Sequence, residues 1–176
     1  MAAGPCEPIA TPVEGLALRF AAEPDTGTLL ALIRELAHYE RLSHIVVADE
    51  AGLRRALFGE RRMTEALIAE YQGEAAGFAL FFHNFSTFLG RPGMYLEDIF
   101  VRPALRGKGI GRTLFTFVAR LAHERGCGRM EWSVLDWNAP AIGFYRGLGA
   151  QALEDWTTFR LTGESLREVA GRFERT

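Results

Sequence analysis

The stretch LRGKGIGRTLF, residues 105–115, sets three glycines and three basic side chains where a strand-like run gives way to a helical one. Just before it, EDIFV (97–101) reads as the end of a strand that Pro103 closes. Just after it, Ile110, Leu114, Val118 and Leu121 recur at helical spacing until Gly126 and Gly128 stop the pattern. A helix that starts this way presents unsatisfied backbone N–H groups, and its dipole adds partial positive charge there. The glycines let the backbone come close to a ligand. Backbone amides from Gly107 to Arg112, with the charges of Arg106, Lys108 and Arg112, describe a cradle for a pyrophosphate. The plainer reading is a glycine-rich helix start with solvated charges.

Two common nucleotide motifs are absent. No GxxxxGK[ST] run occurs, and Gly107, Gly109 and Gly111 make GxGxG where a dinucleotide fingerprint needs GxGxxG.

Outward from this junction the chain alternates strands and helices. LALRFA (16–21) has the alternation of a half-buried strand. Leu29, Leu32, Ile33 and Leu36 mark a helix within residues 23–40, and Asp49 caps a shorter one that Gly59 ends. EALIAEY (65–71) and EAAGFALFFHNFS (74–86) read as a hairpin turning at Gln72-Gly73. RPG (91–93) is expected to break the chain before the strand MYLEDIFV (94–101). Beyond the long helix come a strand over RMEWSVLDW (129–137), a capped helix in NAPAIGFYRGLG, a last strand WTTFRL and a polar helix from about Glu164. The antiparallel hairpin inside an alternating pattern predicts a mixed α/β sheet with helices on both faces.

Composition narrows the class. The 176 residues suit one domain, expected over 15–176 behind a flexible N-terminal extension, residues 1–14. A net charge of −2 argues against a general nucleic-acid partner. No apolar run reaches the roughly 18 residues of a membrane helix. Two cysteines, Cys6 and Cys127, point to a reducing, cytoplasmic setting, and four scattered histidines lack metal-ligand spacing. Cys127, between two glycines, reads as an inert turn residue, and the lone His83 as a structural one.

VRPALRGKGIG (101–111) resembles the (R/Q)xxGx(G/A) signature of the GNAT superfamily of N-acetyltransferases, with Arg106, Gly109 and Gly111 in the defining places. DWNAPAIGFYRGLGA (136–150) is similar to that family's asparagine-bearing strand end followed by a tyrosine-bearing helix. LIRELAHYE, MYLEDIFV and the later Trp156 narrow the likeness to the diamine acetyltransferases, which act on spermidine, spermine or thialysine. The resemblance spans about residues 16–170. It implies a GNAT fold with a splayed, mixed sheet of about seven strands, acetyl-CoA as co-substrate without a metal, and a homodimer.

Acetyl transfer to an amine requires loss of a proton from an ammonium of pKa near about 10, donors for a developing oxyanion, and protonation of the departing thiolate. By resemblance, Tyr145 is the acid for the thiolate, against the alternative of an aromatic packing beside Phe144. Glu97 is the general base, working through a water, and Asp98 attracts the cationic substrate. Adjacent strand residues point to opposite faces, so both line one cavity only across a bulge, which the family fold has at this strand. Asn138 orients the coenzyme or caps its helix, or does both. Backbone groups of Phe100 and Val101 pair with pantetheine amides.

For the amine, Glu40, Ser86 and Trp156 are the further candidates. Polyamine-acetylating relatives carry an acidic residue before a Pro-Trp pair in the loop where this chain has Ser86, Thr87 and Phe88. That is closer to thialysine-type relatives and counts against a second distant ammonium on the substrate. The expected activity is acetyl transfer to a primary amine of a small molecule by direct attack in a ternary complex. Alternatives are a protein lysine or N-terminal acetyltransferase and a non-catalytic acyl-CoA sensor.

Overall fold

The computed structural model describes residues 7–173. These divide into two units, one up to Ser133 and one from Val134 onward.

The first unit is built on six strands in sequential order: β1 (Ile9–Ala10), β2 (Leu16–Phe20), β3 (Glu65–Tyr71), β4 (Glu74–Ser86), β5 (Arg91–Val101) and β6 (Met130–Glu131). Every neighbouring pair is antiparallel except β5–β6, so the sheet is mixed, as expected. Residues 1–6 of the expected extension lie outside the described residues, while Ile9 and Ala10 pair with Leu18 and Ala17. Gln72 and Gly73 both take positive φ (55° and 84°), the two-residue turn whose twist suits a hairpin.

Helix α1 (Thr26–Tyr39) and α2 (Glu50–Phe58) cover one face of the sheet. Leu29, Leu32, Leu36 and Leu57 pack there on Ile68, Phe78, Leu80 and Phe100. Asp49 caps α2 by accepting from Gly52 N at 2.7 Å, and Gly59 ends it. The alternate residues Leu67, Ala79 and Phe81 point to the other face, where α3 (Ile110–Glu124) buries Ile110, Leu114 and Val118. Arg125, just past α3, holds Glu65 at the start of β3.

Three expectations need correction. Strand β5 starts at Arg91, so RPG opens the strand and does not break it. Pro92 sits near the strand end, where a missing N–H is tolerated, and its carbonyl accepts from Gly128 N at 2.8 Å. The strand foreseen over 129–137 is only Met130–Glu131, paired to Met94 and Tyr95. In the second unit, α4 (Ala139–Gly147) and α5 (Gly163–Gly171) form where expected, but WTTFRL is not a strand. Its Trp156, Phe159 and Leu161 are exposed, and an apolar alternation becomes a strand only beside another strand. The strand total is therefore six where about seven were expected.

Candidate active site

The cradle has the backbone its glycines imply. Gly107 and Gly109 take left-handed φ values of 80° and 85°, and Gly109 stands at the start of α3. A Cβ on Gly107 would meet nothing within 4 Å, so conformation and not crowding requires glycine there. Thr113 N is the first amide of the helix with an intrahelical partner, donating to Gly109 O at 2.9 Å. Among the described residues, the N–H groups of Ile110, Gly111 and Arg112 have no backbone acceptor and point off the helix start. This is a fitting seat for a phosphate.

The basic side chains do not all face that seat. Lys108 Nζ lies 5.5 Å from the Tyr71 ring centre. Arg106 turns back: its Nε donates to Val101 O at 3.0 Å, and its guanidinium lies 4.1 Å above the ring of Tyr39. Arg106 therefore shapes the loop in addition to charging it.

Beside the cradle, β5 carries the bulge. Leu80 pairs with Asp98 and Phe81 with Leu96, which leaves Glu97 as the extra residue. From Asp98 onward the register is regular, so Asp98 shares a face with Phe100, toward α1 and α2. Burial raises the Asp98 carboxyl to about 6, with further contributions from Glu97 and Glu40. Glu40, at the C-terminal cap of α1, is itself raised by burial. Three carboxylates thus gather where an alkylammonium would be neutralised. Next to them runs a cleft of about 740 Å³ lined by Arg34, Glu35, His38, Tyr39, Arg41, Phe100 and Pro103.

Pairing between β5 and β6 ends at Tyr95 and Glu131. Beyond it, the β5 edge away from β4, from Leu96 to Val101, has no strand beside it among the described residues. That open edge includes Phe100 and Val101, although the Val101 carbonyl already holds Arg106.

The remaining candidates fall at the far end of β4 and in the second unit. Ser86 is buried at the hairpin end, its Oγ accepting from Leu89 N at 3.2 Å. It is six residues along β4 from Leu80, or about 20 Å from the Asp98 rung. In the second unit, Asn138 caps α4 by accepting from Ala141 N at 3.3 Å. Tyr145 is buried, its ring 5.2 Å from that of Phe144, and Trp156 is exposed. Burial raises the Cys127 thiol, which suits an unreactive turn residue. Among the described residues no three His, Cys, Asp or Glu side chains could hold a metal, and no helix is long and apolar enough to cross a membrane.

Glu35 and Tyr39, a helical turn apart on α1, are part of this region and were not singled out in the sequence. Arg102 grips Glu35 with Nε and Nη2 (2.8–3.2 Å), as Arg106 lies on Tyr39. In the sequence they stand within the LIRELAHYE likeness and share a four-residue spacing with Arg102 and Arg106.

The Acetyltransferase (GNAT) family profile matches residues 29–150. A mouse thialysine N-epsilon-acetyltransferase is 43% identical over 166 residues, covering 88% of this chain and 97% of that protein. An Arabidopsis thaliana L-ornithine N5-acetyltransferase is 34% identical over 197 aligned positions, covering 86% of each. Among solved structures, a V. cholerae integron cassette protein aligns with a TM-score of 0.75 at 26% identity, over 89% of this chain and 98% of that one.

Proposed function

The chain belongs to the acetyltransferase (GNAT) family, and from that premise we propose that it moves an acetyl group from acetyl-CoA to a primary amine of a small molecule, a diamine, polyamine or lysine-like amino acid. The observation that carries the reading is the bulge at Glu97, which sets Glu97 and Asp98 on the strand that leads into the amide cradle, within reach of the charge of Glu40 at the end of α1. The named activities of the mouse and Arabidopsis relatives, on thialysine and ornithine, support a small amine.

In this reading the cradle amides of 107–112 bind the pyrophosphate of the coenzyme, and the open edge at Phe100 and Val101 pairs with its pantetheine arm. Asp98 and Glu40 hold the ammonium, and Glu97 removes its proton through a water. The neutral amine then attacks the thioester carbonyl directly. Tyr145, assigned by its match to the family motif, protonates the departing thiolate, and Asn138 orients the coenzyme while capping α4. Ser86, about 20 Å along β4 from the Asp98 rung, is left out of this amine site, and Trp156 is proposed for it from the family likeness alone. The protein works as a cytoplasmic homodimer. Exposed Leu153, Trp156, Phe159 and Leu161 support a further interface.

The test is release of free thiol from acetyl-CoA against putrescine, spermidine, spermine, ornithine, lysine, thialysine and a lysine peptide. Turnover on at least one small amine is expected. Turnover on the peptide alone, or coenzyme binding with no turnover on any acceptor, overturns the proposal.

A further inference from the structure

The two arginines that flank the Pro103–Leu105 turn both reach α1, and they reach it one helical turn apart. Arg102 closes a two-pronged ion pair on Glu35, with N–O distances of 2.8 to 3.2 Å. Arg106 lies with its guanidinium carbon 4.1 Å from the centre of the Tyr39 ring and 5.9 Å from that of Phe100. Residues at i and i+4 share a helix face, so Glu35 and Tyr39 form one docking strip. Arg102 directly follows β5, and Arg106 begins the cradle. The strip therefore holds both ends of the short segment that aims the amide groups of 107–112.

The Arg106 contact is shaped for a planar cation. Its Nε is spent on Val101 O at 3.0 Å, which fixes the guanidinium plane over the tyrosine. A lysine matches the charge but has no planar group that bonds Val101 O and lies flat on the ring at the same time. Tyr39 is the last residue of α1, and Glu40 is the cap that follows it. A cradle that shifts against Tyr39 therefore also shifts relative to the Glu40 carboxylate next to it.

We propose that Tyr39 is a positioning residue, which seats Arg106 and so sets the pyrophosphate cradle in register with the Glu40 side of the amine site. Tyr39 acts through Arg106 and not on the coenzyme itself. The proposal rests on the function proposed above, because it needs a coenzyme in the cradle.

The experiment is a double-mutant cycle read by calorimetric titration of coenzyme A into the full-length protein, with no amine present. Tyr39→Leu is expected to weaken coenzyme binding about fivefold, the size of an exposed cation–aromatic contact. Arg106→Gln weakens it at least as much, and the double variant is no worse than Arg106→Gln alone. Tyr39→Phe, which keeps the ring, binds as the wild type does. Arg106→Lys weakens binding although the charge is retained, and this arm stands if the leucine variant does not fold. In steady state, Tyr39→Phe and Arg106→Lys separate the roles again: the lysine variant raises KM for both acetyl-CoA and amine and leaves kcat within about twofold. Additive losses in the cycle overturn the proposal, as does a phenylalanine variant as poor as the leucine one or a lysine variant that binds like wild type. Wild-type protein that does not bind coenzyme A overturns both this role and the function it rests on. A wild type that binds, matched by Tyr39→Leu, overturns this role alone.

Discussion

Leu80 stands opposite Asp98, while its neighbour Phe81 stands opposite Leu96, so one residue of β5 has no partner on β4 and that residue is Glu97. In a regular strand Glu97 and Asp98 would face opposite sides of the sheet. The bulge re-aims the pair, and the two carboxylates are close enough for Glu97 to raise the Asp98 carboxyl. Glu97 remains exposed to water, which suits a base that takes its proton through a solvent molecule. Glu97→Gln keeps the shape and removes the basicity. We expect a fall in kcat of roughly a hundredfold, the lower range for a general base. The acidic limb of the kcat profile, taken at saturating amine so that Asp98 does not enter through KM, should flatten with it. A limb that persists unchanged in the variant would place the base elsewhere.

Stability at low pH has a different origin. Arg19 holds Asp25 with two bonds, at 2.6 and 2.8 Å, and Glu70 with a third at 2.8 Å. Asp25 also accepts from Ala22 N at 2.7 Å. The Arg19 bond, then the backbone bond and the charge, hold the Asp25 carboxyl below its ordinary range against the effect of burial. Its native pKa is lower than its unfolded one, so its contribution is complete above about pH 4 and is lost as pH falls through the depressed native value. Asp25→Asn should therefore cost about 1–2 kcal/mol at pH 7 and less at about pH 3. Urea titrations at the two pH values measure this, and an equal cost at both would show that the ion pair is not the source.

Much of this architecture could be read from neighbours along the chain. Gln72-Gly73, the Asp49 cap, the Asn138 cap and the glycines at 107 and 109 all act within four residues of themselves, and the structure has each of them. What depends on a distant partner was not legible. The alternation in WTTFRL looks like a strand, yet the segment forms none and its Trp156 and Phe159 are exposed. Pro92 looks like a breaker, yet its carbonyl is used by Gly128. In the candidate site the charges of Arg106 and Arg102 were visible, but their partners are 67 residues away in each case, at Tyr39 and Glu35. The bulge at Glu97 leaves no local mark; it was expected from family resemblance alone.

Two glycines of the same chain should respond in opposite ways to alanine. Gly109 sits at φ 85°, and a Cβ there would come within 3.3 Å of Val13 Cγ2. Gly109→Ala should cost about 1–2 kcal/mol of stability, and should weaken coenzyme binding further by misaiming the cradle amides. Gly143 lies inside α4 with nothing within 4 Å of its added Cβ. Gly143→Ala should stabilise by about 0.5–1 kcal/mol with coenzyme affinity unchanged. Thermal unfolding with and without coenzyme A distinguishes the two effects. A Gly109→Ala protein as stable and as strongly protected by coenzyme as the wild type would remove the left-handed turn from the binding argument.

Asp98 presents the reverse sign to Asp25. Burial, then Glu97 and Glu40, raise its carboxyl to about 6, above the unfolded value of about 3.9. The folded protein therefore binds a proton that the unfolded chain has already lost between about pH 4 and 6. Stability from this group is complete below about pH 4 and declines as pH rises through about 6. Asp98→Asn removes that decline, so the variant should match the wild type near pH 4 and exceed it at pH 7 by up to about 3 kcal/mol. Amine binding should move the other way. An alkylammonium stays charged across this range and needs the ionised carboxylate, so the wild-type KM for amine should fall as pH rises from 5 to 7. In Asp98→Asn that KM should be about tenfold higher or more, and flat with pH. A residue kept only for structure would lose stability when replaced. A gain in stability joined to a loss of amine affinity is the mark of a charge held for binding at the expense of the fold. Lower stability of the asparagine variant at pH 7, or an amine KM that keeps its pH dependence, would exclude Asp98 as the ammonium partner.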